Sequence, residues 1–234
     1  MGSISTLILT GGGLRSLVAT AAVMSDVNVH RVGLLHVKDS HVAWDRRLEH
    51  SWRQARHYEI EQTHEIDLPL PGRKSLRRSR MSDGRPVVPL RRPGILFAAL
   101  DCAIQLGATR LIWPGQFNGN HEQIATASEQ LVLLQHLAEL THEPLPDIET
   151  PLLDLTDVQL LDLGTHLQVD WDLAWSCDLG GESHCMACSA CRRRQTAFEQ
   201  AGLVDPVVDP VVDPVLSPVV NPGAQASVVV SRER

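Results

Sequence analysis

Apolar positions along the chain follow two spacings in turn, one of period two or continuous, the other of period near 3.6. Ile4 to Leu9 is an apolar, β-favouring run that predicts a central strand, and it passes directly into Thr10-Gly11-Gly12-Gly13. Leu14 to Met24 predicts a compact helix whose alanines allow close packing on a sheet. Val32 to Val37 reads as a second strand, about Val42 to Glu61 as a long polar helix, and Glu65 to Leu68 as a short third strand. Pro93 suits the first turn of a helix in which Ile95, Leu96, Ala99, Leu100, Ala103, Ile104 and Leu106 recur at helical spacing until Gly107. Ala108 to Trp113 predicts the next strand, Ile124 to Leu140 an amphipathic helix, and Thr156 an N-cap for a short helix through Leu163. Strands alternating with helices predict an α/β fold, a parallel sheet with helices on both faces.

Two stretches break the pattern. Between Pro69 and Pro93 the composition turns to proline, glycine and arginine, with Arg73, Lys74, Arg77, Arg78, Arg80 and Arg85 close together, which predicts a loop. Its charge could close over phosphates or touch RNA, although charge runs in loops are usually only solvated. After Gly202 the chain repeats Val204-Asp205-Pro206-Val207-Val208-Asp209-Pro210, placing proline where a ladder or helix needs an N–H. The expected organisation is an α/β domain over residues 1–170, a metal-binding segment with a C-terminal helix over 171–203, and an extended, disordered tail over 204–234.

The 234 residues and 43% hydrophobic content suit one globular domain with an appendage. A net charge of −7 argues against a protein that coats nucleic acid. No stretch approaches the roughly 20 apolar residues that span a bilayer, and no signal core opens the chain, so a cytoplasmic location without membrane contact is expected.

Four of the cysteines form Cys177-x7-Cys185-x2-Cys188-x2-Cys191. Two-residue gaps turn successive thiolates onto one ion, and four sulfurs satisfy the tetrahedral preference of zinc. Disulfides are disfavoured in a reducing compartment, and an iron–sulfur cluster is the remaining alternative. With every ligand position filled by protein, such a zinc is structural and leaves no site for a reacting water. His184 beside Cys185 is read as a bystander, and Cys102 as a core residue.

The segment Trp175-Ser176-Cys177 through Cys191-Arg192-Arg193-Arg194 resembles the C-terminal zinc motif of the 7-cyano-7-deazaguanine synthases, members of the PP-loop pyrophosphatase superfamily. Pro151 to Thr156 resembles the family's stretch before its penultimate helix, Val88-Pro89-Leu90-Arg91 its Val-Pro-Gly-Arg-Asn run, and Gly107 to Gly115 the following helix end and strand. The resemblance implies a PP-loop, adenine nucleotide alpha hydrolase-like fold. It also implies conversion of 7-carboxy-7-deazaguanine, ammonia and ATP into the nitrile, a precursor of the queuosine modification of transfer RNA. Thr10, Gly11, Gly12, Gly13, Leu14, Arg15 and Ser16 would then hold ATP with magnesium, Arg91 would meet the deazapurine substrate, and a homodimer is left open. A paralogue without turnover, keeping fold and zinc as a nucleotide- or partner-binding scaffold, is the alternative.

The chain departs from the family's pattern at several ligand-facing positions. Where the family's loop reads Ser-Gly-Gly-x-Asp-Ser, this chain has Gly11-Gly12-Gly13-Leu14-Arg15-Ser16, or, with one glycine inserted, Thr10 in the serine's place; neither alignment restores the aspartate, which is Arg15. A guanidinium aids anion binding but cannot coordinate magnesium. The asparagine expected after Arg91 is Arg92, and Gly115-Gln116-Phe117-Asn118-Gly119-Asn120-His121-Glu122 stands where the family carries an aspartate and a Tyr-Pro-Asp-Cys run after Gly-Val-Asn. No catalytic residue is assigned from the sequence. His36, at the end of a strand, is more simply structural than ligand-binding.

Overall fold

Strand β1 (Thr6–Thr10) is buried along its whole length, as a continuous apolar run bounded by glycine leads one to expect. A computed structural model of the chain describes residues 4–39, 41–68 and 91–208, Arg91 by its backbone alone. The sheet runs β3-β2-β1-β4-β5, with β2 at Val32–Lys38, β3 at Gln62–Asp67, β4 at Arg110–Ile112 and β5 at Asp147–Glu149. Every pairing is parallel, with Thr10 beside His36 and Ile8 beside Ile112.

Alternation along the strands sorts their side chains onto two faces. Leu7, Leu9, Leu35, Val37, Leu111 and Trp113 pack against helix α3 (Arg91–Gln105) and helix α4 (His121–Glu139). Ile8, Leu34 and Ile112 pack on the other face against α1 (Leu14–Met24), α2 (Trp44–His57) and α5 (Asp157–His166). The sheet is therefore covered on both faces, as the alternation of elements predicts. A final helix α6 (Ser189–Ala201) packs on α5 through Phe198, Ala197 and Leu161.

Thr156 caps α5 in a full capping box with Gln159, which accounts for the helix starting where the sequence places it. Strand β5 was not expected: Asp147–Glu149 carries no β-favouring pattern and is set by pairing with β4, reinforced by the Arg110–Glu149 ion pair at 2.5 Å. Polar β3 begins earlier than the expected Glu65, because its backbone pairs with β2 from Gln62 onward while alternate residues face water. Cys102 is half-buried against the core, in line with its expected role.

One boundary is corrected. Asp205, expected in an extended tail, is buried and accepts from Nε and Nη2 of the buried Arg194 at 2.8–3.0 Å. Arg194 also donates to the carbonyls of Ala174 and Trp171. The Val-Asp-Pro repeat therefore supplies the counter-ion of a charge buried beneath α6. The basic run 73–85, the Val88-to-Leu90 stretch and residues 209–234 lie outside the described residues.

Two substitutions test this packing. A Cβ added to Gly164 would lie 2.1 Å from the Trp171 ring, and overpacking of about 1–3 kcal/mol should outweigh the roughly 1 kcal/mol gained in helix propensity, so Gly164→Ala should lower the melting temperature. Asp205→Ala should destabilise by about 3–5 kcal/mol, the cost of stranding a buried charge. A chain ending at Val208 should keep that stability and one ending at Val204 should lose it, as read by denaturant unfolding.

Candidate functional site: a glycine loop, an arginine cluster and a cysteine cluster

A cleft of about 1160 Å³ opens over the C-terminal ends of β1, β2 and β4. The chain leaves β1 for β2 on one side and returns to β4 on the other, so the strand order reverses at this point, where open α/β sheets characteristically place ligands. Gly11, Gly13, Arg15 and Ser16 line the cleft. Helix α1 starts at Gly13 with no side-chain cap, so its first-turn N–H groups face the cleft without a side chain to satisfy them. Together with the helix dipole this makes the loop an electropositive end suited to an anion.

The loop is shaped by its neighbours. Gly12 has φ of +65°, and a Cβ there would lie 2.2 Å from the carbonyl oxygen of Arg47, so only glycine fits. The Trp175 backbone N–H donates to the Gly12 carbonyl at 2.8 Å. Thr10 Oγ1 accepts from Gly12 N–H at 3.2 Å and meets Ser51 Oγ, which stands 3.3 Å from His36 Nδ1. His36 is buried, and burial lowers its pKa to about 4, so it remains neutral within this network. Ser16 is turned inward, donating to the Gly13 carbonyl at 3.0 Å, and Leu14 packs into the core. Of the loop residues singled out in the sequence, Thr10, Leu14 and Ser16 thus spend their side chains on structure. Arg15 alone extends a charged group into the cleft.

Arg15 Nη1 reaches the Gln116 carbonyl at 3.4 Å. Arg15 is exposed by surface area yet crowded by the cleft walls; loss of surrounding water and then the charge of Arg193 bring its pKa down to about 10, against the pull of Asp157. It stays a cation at neutral pH. Arg193, from α6, forks onto Asp157 at 2.7 Å and reaches Gln116 Oε1 at 2.9 Å. The hydrogen bond to Asp157 leads in raising its pKa. Arg92 stacks over the Phe117 ring with 4.5 Å to the centroid. Gln130 also lines the cleft, and its buried Oε1 has no hydrogen-bond partner among the described residues.

The Sγ atoms of Cys177, Cys185, Cys188 and Cys191 all lie within 4.8 Å of one another, and all four thiols are free. Backbone N–H groups of Leu179, Cys188 and Cys191 point at the sulfurs of Cys177, Cys185 and Cys188 at 3.3–3.4 Å. Those of Ala187 and Cys188 hold the Cys185 thiol down to about 6. Burial and then the adjacent sulfur of Cys188 push Cys191 up. Four sulfurs this close together could hold a metal ion. His184 is a bystander to it: its Nε2 accepts from Ser176 N–H at 3.1 Å and its ring lies 4.4 Å from that of Trp175. Trp175 joins the two sites, packing on Cys177 and Cys191 and donating its indole N–H to the Cys177 carbonyl at 2.8 Å. Asp178 adds a second link through Arg47 at 3.0 Å.

The family model described as "Queuosine biosynthesis protein QueC" matches residues 5–202 of the chain. The chain belongs to this family. Among curated relatives, the 7-cyano-7-deazaguanine synthase of Chlorobaculum parvum is 27% identical over 219 residues, which cover 86% of this chain and 94% of the relative. That of Caldicellulosiruptor saccharolyticus is 34% identical over 122 residues, or 52% of this chain and 54% of the relative. Against the latter the chain spans about half of the relative's length.

Within the QueC family frame, Arg91 opens α3 by its backbone, and its side chain lies outside the described residues. Asp157, Arg47, Asp178 and Trp175 were not singled out individually by sequence reasoning. Asp157 sits in the first turn of a helix, where a carboxylate is common because of the helix dipole, so nothing local marks it as a partner for the distant Arg193.

Cys188→Ser is expected to lose bound metal and to lower the melting temperature together, because metal binding and ordering of such loops are linked. Metal analysis beside thermal unfolding checks this; unchanged metal content would place the ion elsewhere.

Proposed function

We propose that this QueC family member is an ATP-dependent carbon–nitrogen ligase of the 7-cyano-7-deazaguanine synthase type, taking 7-carboxy-7-deazaguanine and ammonia to the nitrile. The observation that carries the reading is the uncapped start of α1 at a glycine loop that lines the switch-point cleft. In the proposed sequence the substrate carboxylate attacks the α-phosphorus of ATP and pyrophosphate leaves. Ammonia then displaces AMP to form the amide with loss of a proton. A second ATP activates the amide oxygen, again with departure of pyrophosphate, and loss of AMP with the remaining amide protons gives the nitrile. Loop N–H groups would hold phosphate oxygens, the arginines would offset charge on the departing pyrophosphate, and Gln130 would accept from a deazapurine N–H.

Zinc suits the cysteine cluster, since four protein sulfurs close the coordination shell and leave the ion a structural role. That ion would hold Cys177 and thus the Trp175 backbone that supports the loop. An iron–sulfur cluster accepts the same donors, and visible absorbance distinguishes it. Magnesium would draw on the carboxylates of the cleft. Three described ones line it: Asp157 is forked by Arg193, Asp178 is held by Arg47 and His41, and Asp39 follows the end of β2.

The substitution of Arg15 for the family's aspartate favours a second reading, a protein that keeps the fold and metal and binds a nucleotide or partner without turnover. Incubation with ATP, magnesium, ammonia and 7-carboxy-7-deazaguanine separates the two. Mass spectrometry should detect AMP and the nitrile; binding of ATP without either product would leave the scaffold reading, and absence of nucleotide binding would remove the ligase reading.

A further inference from the structure

Arg15 and Arg92 are far apart in sequence, and each replaces a residue of different charge in the resembled motifs. The fold brings them to one place. They line a second pocket of about 520 Å³ that adjoins the glycine-loop cleft, together with Arg193, Gln116, Asn120 and Gln123. No carboxylate is among the described residues lining this pocket. Asp157, which touches two of the lining residues, is bound by Arg193 and Gln116 Nε2. Arg15 and Arg92 form no ion pair with a described residue: Arg15 has the Gln116 carbonyl and Arg92 the face of Phe117. Three guanidinium groups against one carboxylate leave about two positive charges facing the pocket. Such a cluster repels itself, and an oxyanion is the group that relieves it. The N-terminus of α4 is capped by Asn120 and carries Glu122 in its first turn, so the guanidinium groups and not this helix end supply the positive charge.

We propose that Arg15, Arg92 and Arg193 form a polyphosphate subsite that binds a pyrophosphoryl group through guanidinium charge, without a magnesium ion. The pocket is the continuation of the cleft that begins at the loop amides, so its occupant is the terminal end of a nucleoside triphosphate, and the pyrophosphate released from it. Arg15 does by direct charge what a carboxylate can do only by recruiting a cation, since a carboxylate alone repels phosphate. Arg92 is held against Phe117, so less freedom is lost when it engages the ligand. The inference rests on the nucleotide reading of the cleft but makes a separate claim about metal.

The test is calorimetry of the full chain with inorganic pyrophosphate and with ATP, in chelator for divalent ions and again in magnesium, using conditions that keep the cysteine-bound metal in place. Pyrophosphate should bind in the absence of magnesium, compete with ATP and not with adenosine, and weaken as salt is raised. Arg15→Gln and Arg92→Gln should each weaken it by about tenfold or more, the scale of one charge-assisted hydrogen bond. Arg15→Lys should retain part of the affinity, which a lesion of folding would not predict. Arg56→Gln, which removes an equal charge from exposed α2 surface, should leave binding unchanged. ATP and pyrophosphate binding that requires magnesium would overturn the inference and leave the nucleotide reading intact. Pyrophosphate binding without any ATP binding would overturn both the nucleotide reading and the nucleoside triphosphate as occupant of this subsite. Binding in chelator that survives both glutamine variants would also overturn it, placing the anion at the loop amides alone.

Discussion

The close approach of Gly12 to the Arg47 carbonyl, with the Trp175 backbone N–H bonded to the Gly12 carbonyl, is the constraint on which the rest of the site depends. It presses the turn after β1 between α2 and the segment that leads into the cysteine cluster. A side chain at Gly12 would force these apart, and with them the register of α1, whose first-turn amides face the cleft. Three elements distant in sequence therefore meet at a single backbone turn. The conformation of that turn is decided by backbone contacts, which explains why the loop survives the replacement of neighbouring side chains.

The cysteine cluster acts on the same turn from a distance. Trp175 lies between the sulfurs and Gly12, and Arg47 ties Asp178 back to α2. A metal held by all four sulfurs would supply no chemistry at its own position and would act by stiffening the segment that carries Trp175. Arg194 acts similarly, reaching the Ala174 and Trp171 carbonyls while its charge is offset by Asp205. The segment before Trp175 is thus fixed by a buried ion pair and the segment after it by convergent sulfurs.

Charge is distributed unevenly between these supports and the cleft. The structural arginines, Arg47 and Arg194, are matched with Asp178 and Asp205. Those at the pocket, Arg15 and Arg92, have a carbonyl and an aromatic face instead of a carboxylate. The chain's net charge of −7 conceals this local excess of positive charge. A functional argument from overall charge would have missed it, because screening confines each charge's influence to about 10 Å or less at physiological salt.

By itself the sequence determined the parts whose causes are local or periodic. The continuous apolar run of β1, the helical spacing from Ile95 to Leu106, the Thr156 cap and the Cys-x2-Cys-x2-Cys spacing each express a short-range rule, and family resemblance added their order. Tertiary structure alone decided the rest. Asp147–Glu149 becomes a strand because β4 offers a free edge, and Asp205 leaves its expected tail because a buried guanidinium attracts it. Ser16 turns inward because Gly13 and Gln54 are there to meet it. Arg15, Arg92 and Arg193 become one group only when the turn after β1, the start of α3 and the helix after the cysteines reach the same end of the sheet. Periodicity within a window of residues carries no information about such a meeting, since it depends on which strand ends the sheet sets side by side.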